Sequence, residues 1–162
     1  MFGTLMILSV ACGPPARANT HLCSCVVGAG PVNVKVVVAE GLRKADAVFV
    51  GSVASVIDSA TPLASRPSMV VHTRRVLLVL ERGWKGALSD SLVVWTGNGA
   101  GDCGYPFKVG ERYLVFAVSS GSAGFSTGVC TLTQPLSKAG RYIRALGDAS
   151  IHRQRGSESM RP

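Results

Sequence analysis

Apolar positions along the chain change period several times, and each change predicts an element. Val36, Val37, Ala39, Leu42 and Arg43 fall at loosely helical intervals and predict a helix over Val36–Lys44, although its valines suit a helix poorly. Residues 47–57 (AVFVGSVASVI) turn β-rich, with Gly51 placed where a bulge or a sharp barrel bend is expected. Residues 59–68 hold Pro62 and Pro67 and read as a loop. Residues 69–81 (MVVHTRRVLLVLE) alternate around His72, Arg74 and Arg75 before becoming continuously apolar, the pattern of a long, bent strand in a barrel wall.

The second half continues in shorter pieces. Residues 82–86 (RGWKG) read as a turn with an aromatic anchor, 91–96 (SLVVWT) as a third strand, and 98–104 as a glycine-rich loop. Residues 112–118 (RYLVFAV) predict a fourth strand and 124–132 a fifth. A closing helix is expected over 135–146, with Pro135 at its start and Gly147 just past its end. Residues 148–162 lack an apolar period and predict a mobile tail with many basic residues. Five strands with one or two flanking helices make a mainly β chain and point to a small Greek-key barrel.

The first 18 residues follow another logic. Residues 2–11 are almost wholly apolar, and Ala16-Arg17-Ala18 supplies the small residues a signal peptidase needs, so 1–18 read as a signal peptide with the mature chain starting at Asn19. The run is too short for a membrane span, which needs about 20 residues. Ser9-Val10-Ala11-Cys12 partly matches a lipoprotein cleavage site, which leaves a periplasmic or lipid-anchored product as the alternative to a secreted one. The domain proper is then 19–147.

With Cys12 removed, the mature chain keeps Cys23, Cys25, Cys103 and Cys130. Outside the cell these are expected to be oxidised. Cys23 and Cys25 are poorly placed to bond each other, so each is expected to reach to Cys103 or Cys130, which leaves two crossings open. A metal site has little to draw on, since the histidines are His21, His72 and His152 and no C-x-x-C or H-x-x-x-H spacing occurs.

Hydrophobic residues make up 47% of the 162 and charged residues 16%, enough apolar content for one core-bearing domain. The formal net charge of +8 comes from scattered Lys and Arg. With aromatics at 6% and export expected, nucleic acid is a poor match, and anionic envelope or matrix polymers are the better one.

The chain resembles the N-terminal, netrin-type domain of the tissue inhibitors of metalloproteinases, an OB-fold barrel, and in particular its compact bacterial relatives. The matching stretches are Cys23-Ser24-Cys25, Trp84-Lys85-Gly86, Cys103-Gly104-Tyr105 and Cys130, in order over residues 23–137, with the apolar strand 113–117 at the right interval. The resemblance implies the bridges Cys23–Cys103 and Cys25–Cys130. It further implies an inhibitor of zinc metalloendopeptidases, which we expect to be secreted, monomeric and free of cofactors. In that family the first cysteine is the mature N-terminal residue, and its amine and carbonyl chelate the protease zinc. Carried over, Cys23 is the chelator through its backbone, Ser24 enters the first primed-side pocket, Cys25 completes the wedge, and Asp102, Cys103 and Gly104 form the adjoining ridge. Two features depart from the family: Val26 and Val27 replace its prolines, and the third bridge has no cysteines. A start at Asn19 would leave four residues ahead of Cys23 and bury its amine in a peptide bond. The alternative is therefore a non-inhibitory extracellular netrin-like interaction or adhesion module.

No enzyme is expected. Residues 124–128 (GFSTG) match G-x-S-x-G, and Asp148 and His152 follow in hydrolase order, but a nucleophile elbow needs a helix behind the serine. Residues 99–104 match G-x-G-x-x-G, but Pro106 blocks the helix a phosphate needs. His72 reads as a strand residue, and Trp84 and Trp95 as barrel packing.

Overall fold

Alternation of side chains across one long strand pair organises the molecule. The computed structural model describes residues 23–25, 32–86, 89–99 and 101–152. The leader 1–18, the start at Asn19, Cys12, His21 and residues 153–162 of the tail lie outside the described residues.

Helix α1 spans Val34–Lys44, two residues earlier than the valine spacing predicts. Asn33 accounts for the earlier start: its side-chain oxygen accepts the Lys35 backbone N–H at 3.1 Å and caps the first turn. Strands follow at β1 (Ala47–Leu63), β2 (Arg66–Lys85), β3 (Ser91–Thr96) and β4 (Arg112–Ser119). The short strands β5 (Phe125–Ser126) and β6 (Gln134–Pro135) precede α2 (Gly140–Leu146) and β7 (Ile151–His152). β1 pairs with both β2 and β4, β2 with β3, β3 in parallel with β5, and β5 with β4, so five strands form a hydrogen-bonded ring. The β1–β2 register shifts at four places, and one of them, between Val50 and Gly51, is the irregularity expected at the glycine.

Two apolar clusters explain why β1 and β4 read as continuous runs rather than as alternation. Ala47, Phe49, Tyr113, Val115 and Ala117 face the ring interior with Val76, Leu78 and Val94. Val48, Val50, Leu114 and Phe116 face the other way, onto Ala139 and the α1 and α2 side chains Leu42, Tyr142 and Ile143. Both faces are therefore buried over Ala47–Gly51 of β1 and Tyr113–Ala117 of β4.

Four expectations need correction. Residues 59–68 are not a loop: β1 and β2 continue as a hairpin to a turn at Ala64-Ser65, because beyond the ring both outer edges are free and a proline there forfeits no ladder bond. Residues 82–85 belong to β2, and the chain leaves the strand only at Gly86, with φ of 99°. Within that stretch the Trp84 indole N–H donates to the Gly147 carbonyl at 2.9 Å, and Lys85 Nζ donates to the Leu42 carbonyl at 2.8 Å, so the motif ties both helices to the sheet. Of the fifth strand only Phe125–Ser126 is paired as a strand. Beyond it Thr127 and Thr133 turn their hydroxyls on the Phe116 carbonyl, and Thr133 Oγ1 also accepts the Phe116 N–H at 3.0 Å, so side chains supply the bonds a longer strand would have made. Pro135 lies in β6, and the closing segment is a 3₁₀ turn over Leu136–Lys138 followed by α2. Gly147, with φ of 71°, does end the helix, and past it Ile151 and His152 pair with Gly83 and Arg82.

Candidate functional site

Cysteines at 23 and 25 stand one residue apart, and each finds its partner on a different loop. Cys23 bonds Cys103 with Cα atoms 5.1 Å apart, and Cys25 bonds Cys130 at 5.2 Å. These are the pairs that the resemblance implies. The bridges lie side by side, with Cys23 Sγ 3.9 Å from Cys130 Sγ. Ser24, between them, is exposed, while Cys23 and Cys25 are half-buried. Three sulfurs, of Cys23, Cys103 and Cys130, lie within 4.8 Å of one another, but each is spent in an S–S bond and offers no thiolate to a metal. Two such bridges are the chemistry of an oxidising compartment, and among the described residues no helix is long and apolar enough to cross a membrane.

The loop after β3 receives the Cys23 bridge and is built around one carboxylate. Asp102 accepts the backbone N–H groups of Asn98, Gly99 and Gly104, each at 2.9 Å. Partial burial pushes its pKa up, and the backbone N–H groups outweigh that and hold the carboxyl below its ordinary range. In this loop the first and last glycine amides of the G-x-G-x-x-G string, at Gly99 and Gly104, are thus occupied by the chain's own carboxylate. Asp102 organises the ridge, and Cys103 and Gly104 ride on it.

Cys103 has φ of 59°, a left-handed conformation that costs a non-glycine residue about 1–2 kcal/mol. Its carbonyl is held by the Val129 N–H at 2.9 Å. Gly104 is buried against Gly97, where a Cβ would overlap the Gly97 carbonyl carbon, and a Cβ at Gly97 would in turn overlap the Asp102 carboxylate. A Cβ at Gly128 would lie 2.5 Å from the Cys103 carbonyl oxygen. Asn98, Gly97 and Gly128 are ridge-forming residues that the sequence reading does not single out. Gly97 and Asn98 adjoin the run of Gly99, Gly101 and Gly104 around Asp102, a local pattern that favours side-chain to backbone bonds, whereas Gly128 has no aspartate near it and no such signal.

Behind the ridge the chain dives into the ring. The Tyr105 N–H donates to Thr96 Oγ1 at 2.7 Å, and the rings of Tyr105, Phe107 and Tyr113 pack with centroids 4.8–5.8 Å apart. Burial, with Tyr113 and Glu111 adding to it, pushes the Tyr105 phenol up to about 12 from 10.0. In the unfolded chain this phenol ionises near 10.0, whereas in the folded protein it stays neutral to about 12, so its contribution is whole below pH 10 and drains away between 10 and 12. Urea unfolding from pH 8 to 12 should show stability falling over that window, and Tyr105→Phe should flatten part of the fall. An unchanged slope in the variant would rule out Tyr105 as its source.

On the other side of the ridge an open cleft of about 430 Å³ separates Asn98 from the base of the hairpin, lined by Asp58, His72 and Arg74. Arg74 Nε donates to Asp58 Oδ1 at 2.6 Å, which closes the hairpin base. His72 lies on the exposed hairpin. Ser126 of the G-x-S-x-G string sits in β5 opposite Trp95 and Val118, and a turn, not a helix, follows it. Trp84 packs in the helix-side cluster, and Trp95 is half-buried on β3. No protein-family model matches the chain, and no curated protein matches it either.

Proposed function

We propose that the chain is an exported inhibitor of zinc metalloendopeptidases built on an OB-fold, netrin-type barrel, working through Cys23, Ser24 and the ridge Asp102–Gly104. The observation that carries this reading is the double crossing of Cys23 and Cys25 to separate loops, with exposed Ser24 between them. A chain end bolted at two points two residues apart keeps its geometry when it meets a partner, which lowers the ordering cost of binding. A free amine and carbonyl on Cys23 would form a five-membered chelate on the protease zinc and displace the water that the protease needs as nucleophile. The ring of five strands, β1 paired on both sides, and the helix packed on its outer face are consistent with that barrel.

The test is the state of the Cys23 amine. Protein processed to begin at Cys23 should inhibit a panel of zinc metalloendopeptidases, and one alanine added ahead of Cys23 should weaken inhibition by about 100-fold or more, some 2.7 kcal/mol. Equal potency of the two forms, or none from either, would reject chelation. The second reading is a netrin-like adhesion or interaction module without inhibitory action. It is favoured by Asn19-Thr20-His21-Leu22 standing between Ala18 and Cys23, and Edman sequencing of the mature protein separates the two.

A further inference from the structure

The outer half of the β1–β2 hairpin spends apolar side chains on solvent. Ile57, Leu63, Met69, Val70 and Val71 are between 37% and 51% exposed there, half of the large hydrophobic residues found exposed among those described. Exposed apolar groups gathered on one projection, rather than scattered singly, mark a contact surface. The tip lies five residues beyond the Asp58–Arg74 pair, roughly 17 Å at strand rise.

What covers this arm follows from its faces and its charge. Pro62 pairs with Val70 on one face, while Thr61 pairs with Val71 and Ile57 with Arg75 on the other. A strand added to an edge would cover neither face, and a groove would cover one. A fluid apolar phase surrounds both. The charge leans one way as well: over residues 57–75 Asp58 is the one acid and is held by Arg74, which leaves Arg66 and Arg75 as the cations in excess. A second copy would bring the same cations to the contact and be repelled, whereas anionic headgroups would meet them.

We infer that the hairpin arm docks on an anionic lipid bilayer, its tip 63–71 entering the interface and Arg66 at the tip meeting the headgroups. The ridge and the Cys23 edge then stand at the base of the arm, off the membrane and open to a partner.

Co-sedimentation of the full, oxidised chain with phosphatidylcholine vesicles and with vesicles holding 30% phosphatidylglycerol, a composition of about the usual anionic content, tests this. Binding is expected only to the anionic vesicles. The triple variant Met69→Ser, Val70→Ser, Val71→Ser should reduce it about tenfold, and Arg66→Glu should reduce it and its salt dependence together. Because these side chains are exposed, thermal melts of the variants should match the parent, which separates lost docking from lost folding. Undiminished binding by the triple variant, with displacement by dextran sulfate, would mean adsorption of a basic protein to any polyanion and would overturn the inference. So would a dimer in analytical ultracentrifugation that the triple variant abolishes, or failure to bind anionic vesicles at all. None of these results bears on protease inhibition, so the two readings fail separately.

Discussion

Replacing Cys25 and Cys130 together by Ser is expected to lower the melting temperature of the oxidised domain by roughly 10–20 °C. The bridge closes a span of 105 residues, for which the chain-entropy relation gives about 4–5 kcal/mol of stabilisation through the unfolded state. That figure is comparable with the whole stability of many domains of this size. The double replacement is the right variant. Removing Cys25 alone would leave a Cys130 thiol beside the Cys23–Cys103 bridge, with Cys23 Sγ 3.9 Å away, where thiolate exchange could build a new crossing and mask the loss. Differential scanning calorimetry of parent and variant, with reduced parent as reference, reads the effect. A change of about 3 °C or less would mean that the unfolded chain is hardly constrained by this bridge.

Where burial is simple, the fold is legible in the residues. β3 matches 91–96 residue for residue, since Leu92, Val94 and Thr96 point inward and the positions between them do not. β4 is found because five consecutive positions, Tyr113 to Ala117, are buried against one cluster or the other. The hairpin arm is the opposite case. Its residues 58–68 are solvent-exposed, so no hydrophobic period marks them, and Pro62 and Pro67 look like breakers until the free edges are known. Residues 127–133 mislead for a third reason, because threonines that favour strands by propensity can also bond the backbone with their own hydroxyls, and here they do.

The site divides along the same line. That the cysteines at 23 and 25 would cross the chain is readable from their spacing and the count of four, but spacing leaves two crossings open, and only the resemblance chooses between them. The architecture of the ridge is not readable. It depends on amides converging on Asp102 and on Gly97 and Gly104 touching backbone to backbone, both of which are relations between conformations rather than residue types.

Gly104 is the place to test that architecture. Gly104→Ala is expected to cost about 3 kcal/mol or more, because the added Cβ meets the Gly97 carbonyl carbon, which is backbone and has no rotamer by which to withdraw. The chain must then part at Gly97 and Gly104, which pulls the Gly104 N–H from Asp102 and moves Cys103, whose left-handed backbone is already unfavourable. Two readouts should move together: a melting temperature lower by roughly 10 °C, and amide exchange at Asn98 and Gly99 faster by tenfold or more as Asp102 lets go. Gly140→Ala serves as the control. At the start of α2 its Cβ would meet nothing nearer than Arg144 Nη1 at 3.7 Å, so the same chemical change should be neutral or mildly stabilising. If Gly104→Ala melted with the parent, the close contact between the two glycines would not hold the ridge, and Cys23 would be fixed by its bridge alone.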